Sequence, residues 1–110
     1  YFLTADGIDW FTDRYLPDAA QRSDPRCSPL LADDLSGLPP AHVMVAGFDP
    51  LRDEGIAYAR MLERAGVATT LRVHTDAVHP FINILATDLG RRCMAEAVGA
   101  MRTALGVDPA

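Results

Sequence analysis

The stretch His42-Val43-Met44-Val45-Ala46-Gly47-Phe48 decides the fold. It is short and almost continuously apolar, with Pro39-Pro40 before it and Asp49-Pro50 after it. Breakers on both sides leave too little length for a helix, so the run reads as a buried parallel strand. Downstream, residues 53–65 form an amphipathic pattern, with Ile56, Ala59, Leu62 and Ala65 on one stripe. Asp53 and Glu54 suit the N-terminus of that helix, and Gly66 suits the position after its end. Thr69 to His74 alternates and is rich in β-branched residues, the pattern of a second strand. A last helix spans 87–105, with Leu89, Cys93, Ala97, Met101 and Leu105 spaced by four. Gly106 and Pro109 end it, and Gly90 and Gly99 weaken it by up to about 1 kcal/mol each. Strand, helix, strand, helix predicts a right-handed α/β unit around a parallel sheet.

Upstream, residues 5–16 place Ile8, Phe11 and Tyr15 at helical spacing beside Trp10 and Leu16. Asp6 is the expected N-cap, and Pro17 stops the helix. Residues 18–40 follow without periodicity and carry Pro25, Pro29, Gly37, Pro39 and Pro40. The chain thus divides into a helix (1–17), a connecting loop (18–40) and the strand–helix–strand–helix unit (41–110). Two parallel strands cannot cover their own faces and edges, so further strands are expected from an upstream segment or a partner chain. The opening Tyr1-Phe2-Leu3 carries no initiator Met, which agrees with a C-terminal piece or a processed product.

Composition narrows the function. Among 110 residues, 49% are hydrophobic, which excludes a disordered chain. A formal charge of −5 argues against nucleic acid as a partner, because phosphate binding relies on a basic face. No apolar run approaches the roughly 18 residues of a membrane span, and no secretory leader is visible. Cys27 and Cys93 lack any C-x-x-C or zinc-ligand spacing. The expectation is a soluble, cytoplasmic protein with reduced thiols, no metal and no organic cofactor.

In an open α/β sheet, functional residues collect just past the carboxyl ends of the strands. Asp49 follows the first strand, and His79 follows the second, 30 residues later. A carboxylate and an imidazole on one rim suit an orienting acid and a general base. Each residue also has a plainer reading. Asp before Pro caps turns whatever the function, and a lone loop histidine is common. Arg52 is expected to pair with Asp53 or Glu54. His74, Asp76 and His79 lack a third strong ligand at metal-binding spacing. His42 reads as a surface residue, and Cys93 as packing on an apolar stripe.

The segments Ser28–Ala41 (SPLLADDLSGLPPA), HVMVAGF, Asp49–Gly55 (DPLRDEG), AYARMLERAGV (57–67) and His79-Pro80-Phe81 together resemble the C-terminal third of the hormone-sensitive-lipase-like group of α/β-hydrolases. The resemblance covers nearly the whole chain. It implies a serine esterase acting on carboxylic esters, with Asp49 as the triad acid and His79 as the base. It also implies that residues 2–17 belong to a cap over the acyl pocket. Trp10, Phe11 and Tyr15 are then candidate substrate-binding or cap-packing groups, although ordinary core packing explains them equally well.

Two departures from the family pattern stand out. Pro80 follows His79 where the family has Gly, and proline restricts the backbone of the residue before it. The Gly-rich oxyanion-hole segment and the G-x-S-x-G nucleophile elbow are both absent from these 110 residues. Of Ser23, Ser28 and Ser36, only Ser36 has a glycine close behind it, and Asp34 stands where the first glycine belongs. The chain therefore reads as supplying two triad members without the nucleophile, and alone it is expected to be inactive. The alternatives are a non-catalytic, partner-dependent α/β module and a serine peptidase of related fold.

Overall fold

The computed structural model describes residues 2–107. Strand β1 runs Ala41–Phe48 and strand β2 runs Thr69–Val78, paired in parallel. Helix α2, Arg52–Arg64, connects them, and helix α3, Asp88–Ala104, follows β2. This is the α/β arrangement read from the hydrophobic pattern. Helix α1, Ala5–Tyr15, precedes the unit.

Side-chain alternation along β1 divides its contacts between two layers. Val43 packs against a cluster of Leu35, Leu62 and Val67, to which α2 also contributes Tyr58 and Met61. Residues of the opposite parity in β2, Arg72 and His74, reach α3 through Glu96 and Cys93. Helix α2 ends as expected at Gly66, whose φ of 79° allows Val67 N to bond back to the Leu62 carbonyl.

Several boundaries differ from the sequence reading for physical reasons. The N-cap of α1 is Thr4, whose hydroxyl accepts from Gly7 N at 3.2 Å, while Asp6 lies within the first turn. The segment 18–40 is more ordered than an aperiodic loop. Asp18 caps a 3-10 turn at Ala19–Ser23, a second turn forms at Pro29–Leu31, and Leu35 enters the core. Strand β2 extends four residues past His74 because pairing resumes after an irregularity. Thr87 is the cap of α3 and not its first residue. His42 is not a surface residue, since its Nε2 is buried 3.6 Å from Glu96 Oε1. Pro109, expected to help end α3, lies outside the described residues. Cys27 is an exposed free thiol and Cys93 a buried one. Among the described residues, no helix is long and apolar enough to cross a membrane.

Candidate active site

The register of the two strands places Asp49 and His79 together. From Ala41↔Thr69 to Ala46↔His74 the pairing is regular, and it then shifts to Phe48↔Val78. Thr75, Asp76 and Ala77 thus stand opposite the single Gly47. With the original register, Asp49 would face Ala77. The shift makes the residues after Phe48 and Val78 neighbours across the rim, and those are Asp49 and His79. Gly47 makes this possible. A Cβ there would lie 2.5 Å from the Thr75 carbonyl oxygen, too close for any side chain.

Asp49 has a separate partner for each carboxylate oxygen. Oδ1 accepts from Leu51 N at 2.8 Å, closing the turn into α2. Oδ2 lies 2.8 Å from His79 Nδ1. The turn cap and the imidazole partner, set as rival readings by the sequence, are both present and use different atoms. The Asp49 side chain is 11% exposed and that of His79 is 36% exposed. The acid is therefore shielded while the base keeps an open side. With a proton on Nδ1 directed at Asp49, Nε2 is left as an acceptor. Pro80 does not prevent this contact, and the His79–Pro80 peptide is cis.

A concavity of about 410 Å³ borders the pair, lined in part by Val45, Leu51, Pro80 and Phe81. The turn Phe81–Asn83 follows His79 and is seated against α3. Here Gly90 acts as a packing residue and not merely as a weak point in the helix. A Cβ on it would meet the Ile84 carbonyl at 2.2 Å and that of Phe81 at 2.9 Å.

The remaining sequence candidates lie elsewhere. Trp10, Phe11 and Tyr15 are exposed, and none of them lines this concavity. Trp10 and Phe11 meet edge to face, and the Arg14 guanidinium sits 3.7 Å over the Trp10 ring. His74 and His79 have different partners. His74 Nδ1 is 3.5 Å from Cys93 Sγ, and its Nε2 is buried 3.6 Å from Glu96 Oε2. Burial, with Glu96 nearby, pushes the Cys93 thiol up, which makes it a poor nucleophile. Among the described residues, no group of three or more His, Cys, Asp or Glu is arranged to hold a metal ion. Ser28 Oγ donates to the Arg22 carbonyl and Ser36 Oγ to Asp34.

Sequence reasoning missed the roles of Gly47, Glu96 and part of Arg52. Arg52 pairs with Asp53 at 2.8 Å, as expected, and its Nη1 also donates to the Gly47 carbonyl at 3.0 Å. The readable signal was Gly47 itself, since an isolated glycine late in a strand marks a bulge or a close backbone approach.

Comparison with known proteins bears on this arrangement directly. A family model described as the alpha/beta hydrolase fold matches residues 1–83. The carboxylic ester hydrolase LipN of Mycobacterium tuberculosis is 53% identical over 85 residues, covering 76% of this chain and 23% of LipN. The hormone-sensitive lipase of Bos taurus is 42% identical over 65 residues, 57% of this chain and 9% of that protein. Among solved structures, an α/β-hydrolase from the metagenome of Lake Arreo superposes with a TM-score of 0.89 at 43% identity. That match covers 96% of this chain and 34% of the other. The chain thus spans only a part of the relatives it matches. The sequence motifs, the parallel sheet and these matches agree, and the chain belongs to the α/β-hydrolase fold family, in its hormone-sensitive-lipase-like group.

Proposed function

We propose that this chain is the C-terminal part of a serine carboxylesterase, with Asp49 as the triad acid and His79 as the base. The observation that carries the reading is the 2.8 Å contact between Asp49 Oδ2 and His79 Nδ1 across the strand-end rim, beside an apolar concavity. The nucleophilic serine comes from a segment outside these 110 residues, which also completes the sheet beside the two strands. His79 Nε2 takes the serine hydroxyl proton as the oxygen attacks the ester carbonyl. The tetrahedral adduct collapses, the C–O bond to the alcohol breaks, and His79 returns the proton to the leaving alkoxide. Water then attacks the acyl-enzyme, giving its proton to the same nitrogen, and the serine is regenerated with release of the acid. Asp49 stays ionised throughout and stabilises the imidazolium.

Residues 2–17 belong to the cap in this reading, with Trp10, Phe11 and Tyr15 on the surface that covers the acyl group. The ester class is a small, neutral, moderately hydrophobic molecule, in keeping with the chain's acidic balance and apolar concavity. Two free thiols suit a cytoplasmic location. The test compares the 110-residue chain with the longer polypeptide that carries it, on a chromogenic ester. Turnover by the longer polypeptide and none by the isolated chain is expected. Inhibitor-titratable turnover by the isolated chain would refute the assignment of the nucleophile elsewhere. Cleavage of peptides in preference to esters would favour a peptidase, and no hydrolysis by either form would favour a non-catalytic module.

A further inference from the structure

We infer that Arg52 is a positioning residue for Asp49, acting through the Gly47 carbonyl. The inference rests on the reading of Asp49 and His79 as acid and base. A backbone carbonyl taken from water needs a donor, and in a parallel sheet the ladder normally provides it. At Gly47 the register breaks, because three residues of β2 oppose one of β1. Whatever the ladder supplies there, the Gly47 carbonyl also accepts from Arg52 Nη1 at 3.0 Å, in a partly buried position.

Three bonds then close the turn around Asp49. Arg52 Nη1 holds the residue two before it, Arg52 N donates to the Asp49 carbonyl at 3.1 Å, and Leu51 N holds Oδ1 at 2.8 Å. Only Oδ2 is left to face His79. The guanidinium suits this task because its donors are fixed in a planar fork. Nε meets Asp53 at 2.8 Å while Nη1 reaches the carbonyl, so one exposed ion pair orients the partly buried contact. A point-like lysine ammonium cannot make both contacts with the same geometry. Arg52 is also the first residue of α2, where a positive charge opposes the helix dipole. Helix formation alone therefore gives no reason for a cation at that position, whereas its bond to the Gly47 carbonyl beside the register shift does.

The experiment uses the longer polypeptide that carries this segment, with Arg52→Met, Arg52→Lys and Asp53→Asn. Two readouts are followed: ester kinetics, and the downfield proton resonance of the His79 Nδ1–H directed at Asp49. Arg52→Met keeps the apolar stem and removes the donor. It is expected to lower kcat by about 10- to 10²-fold, the scale of a small misplacement, with little change in KM and a displaced or lost resonance. Arg52→Lys is expected to restore part of kcat and a shifted resonance. Asp53→Asn removes only the exposed pair that orients Nη1 and is expected to lower kcat and shift the resonance less than Arg52→Lys does. A folded Arg52→Met variant with unchanged kcat and resonance would overturn the proposal. Should Arg52→Met fail to fold, the other two variants decide it: a larger effect from Asp53→Asn than from Arg52→Lys also overturns it. The resonance reports geometry whether or not the protein cleaves esters. The esterase reading fails separately, if His79→Gln leaves turnover intact.

Discussion

The two ends of this molecule contrast in how their residues find partners. The strand–helix–strand–helix unit buries Val45, Ala46, Ala59, Leu62, Val67, Ala77 and Cys93 and fixes Asp49 against His79 with its own contacts. Helix α1 buries none of its residues, and Trp10, Phe11 and Tyr15 remain 51%, 62% and 80% exposed. Both are amphipathic patterns of similar strength in the sequence. The difference is that α2 and α3 each have a sheet face to cover, whereas the described residues offer α1 no such face. An apolar stripe specifies that burial is favourable, not where it takes place. The Asp49–His79 contact is therefore built from this segment alone.

That contrast is broken most decisively at the rim. In the longer polypeptide, Asp49→Asn and His79→Gln are each expected to lower kcat by about 10⁴-fold, with the fold intact by circular dichroism. Retention of activity in either would remove the site from the unit and erase the distinction drawn here. Next in size is the core under β1. Leu62 is 2% exposed, and Leu62→Ala is expected to cost about 2–5 kcal/mol in urea unfolding. Gly47→Ala forces a Cβ against the Thr75 backbone and is expected to cost about 1–3 kcal/mol, with a loss of activity larger than its loss of stability. Equal, small effects on both would mean that the bulge does not set the pair.

At the other end, Trp10→Ala and Phe11→Ala are expected to change stability by less than about 0.5 kcal/mol while raising KM severalfold. A large loss of stability would show that these aromatics are core and not cap surface. The thiols sharpen the contrast at low cost. Cys27 is expected to react with an alkylating reagent at neutral pH, and Cys93 only after denaturation or at strongly alkaline pH. The sign follows from burial, which favours the neutral thiol of Cys93 and raises its folded value. Its contribution to stability is present below the ordinary thiol range and is lost as pH rises through that raised value.

Much of this was legible in the sequence because the signals were local. The apolar run 42–48 between breakers, the stripe of α2 and the β-branched stretch at 69 each report on nearby residues alone. Asp49 and His79 were found by placing them at strand ends and by their resemblance to a known pattern. What stayed hidden was non-local. Alternation along Thr69–His74 cannot say that three later residues will oppose one glycine, so β2 read short and the register shift went unseen. Leu35 lies in an aperiodic stretch, and nothing in its neighbours announces that it meets Leu62 and Val67. His42 and His74 read as separate residues because Glu96, which stands near both, lies on the last helix.

The central claim is that the acid and base reside in this segment and the nucleophile does not. The most direct test is to label the longer polypeptide with a fluorophosphonate and map the modified peptide by mass spectrometry. The account expects one labelled serine outside residues 1–110, with labelling strongly slowed in His79→Gln. A label on Ser23, Ser28 or Ser36, or labelling indifferent to His79, would contradict it.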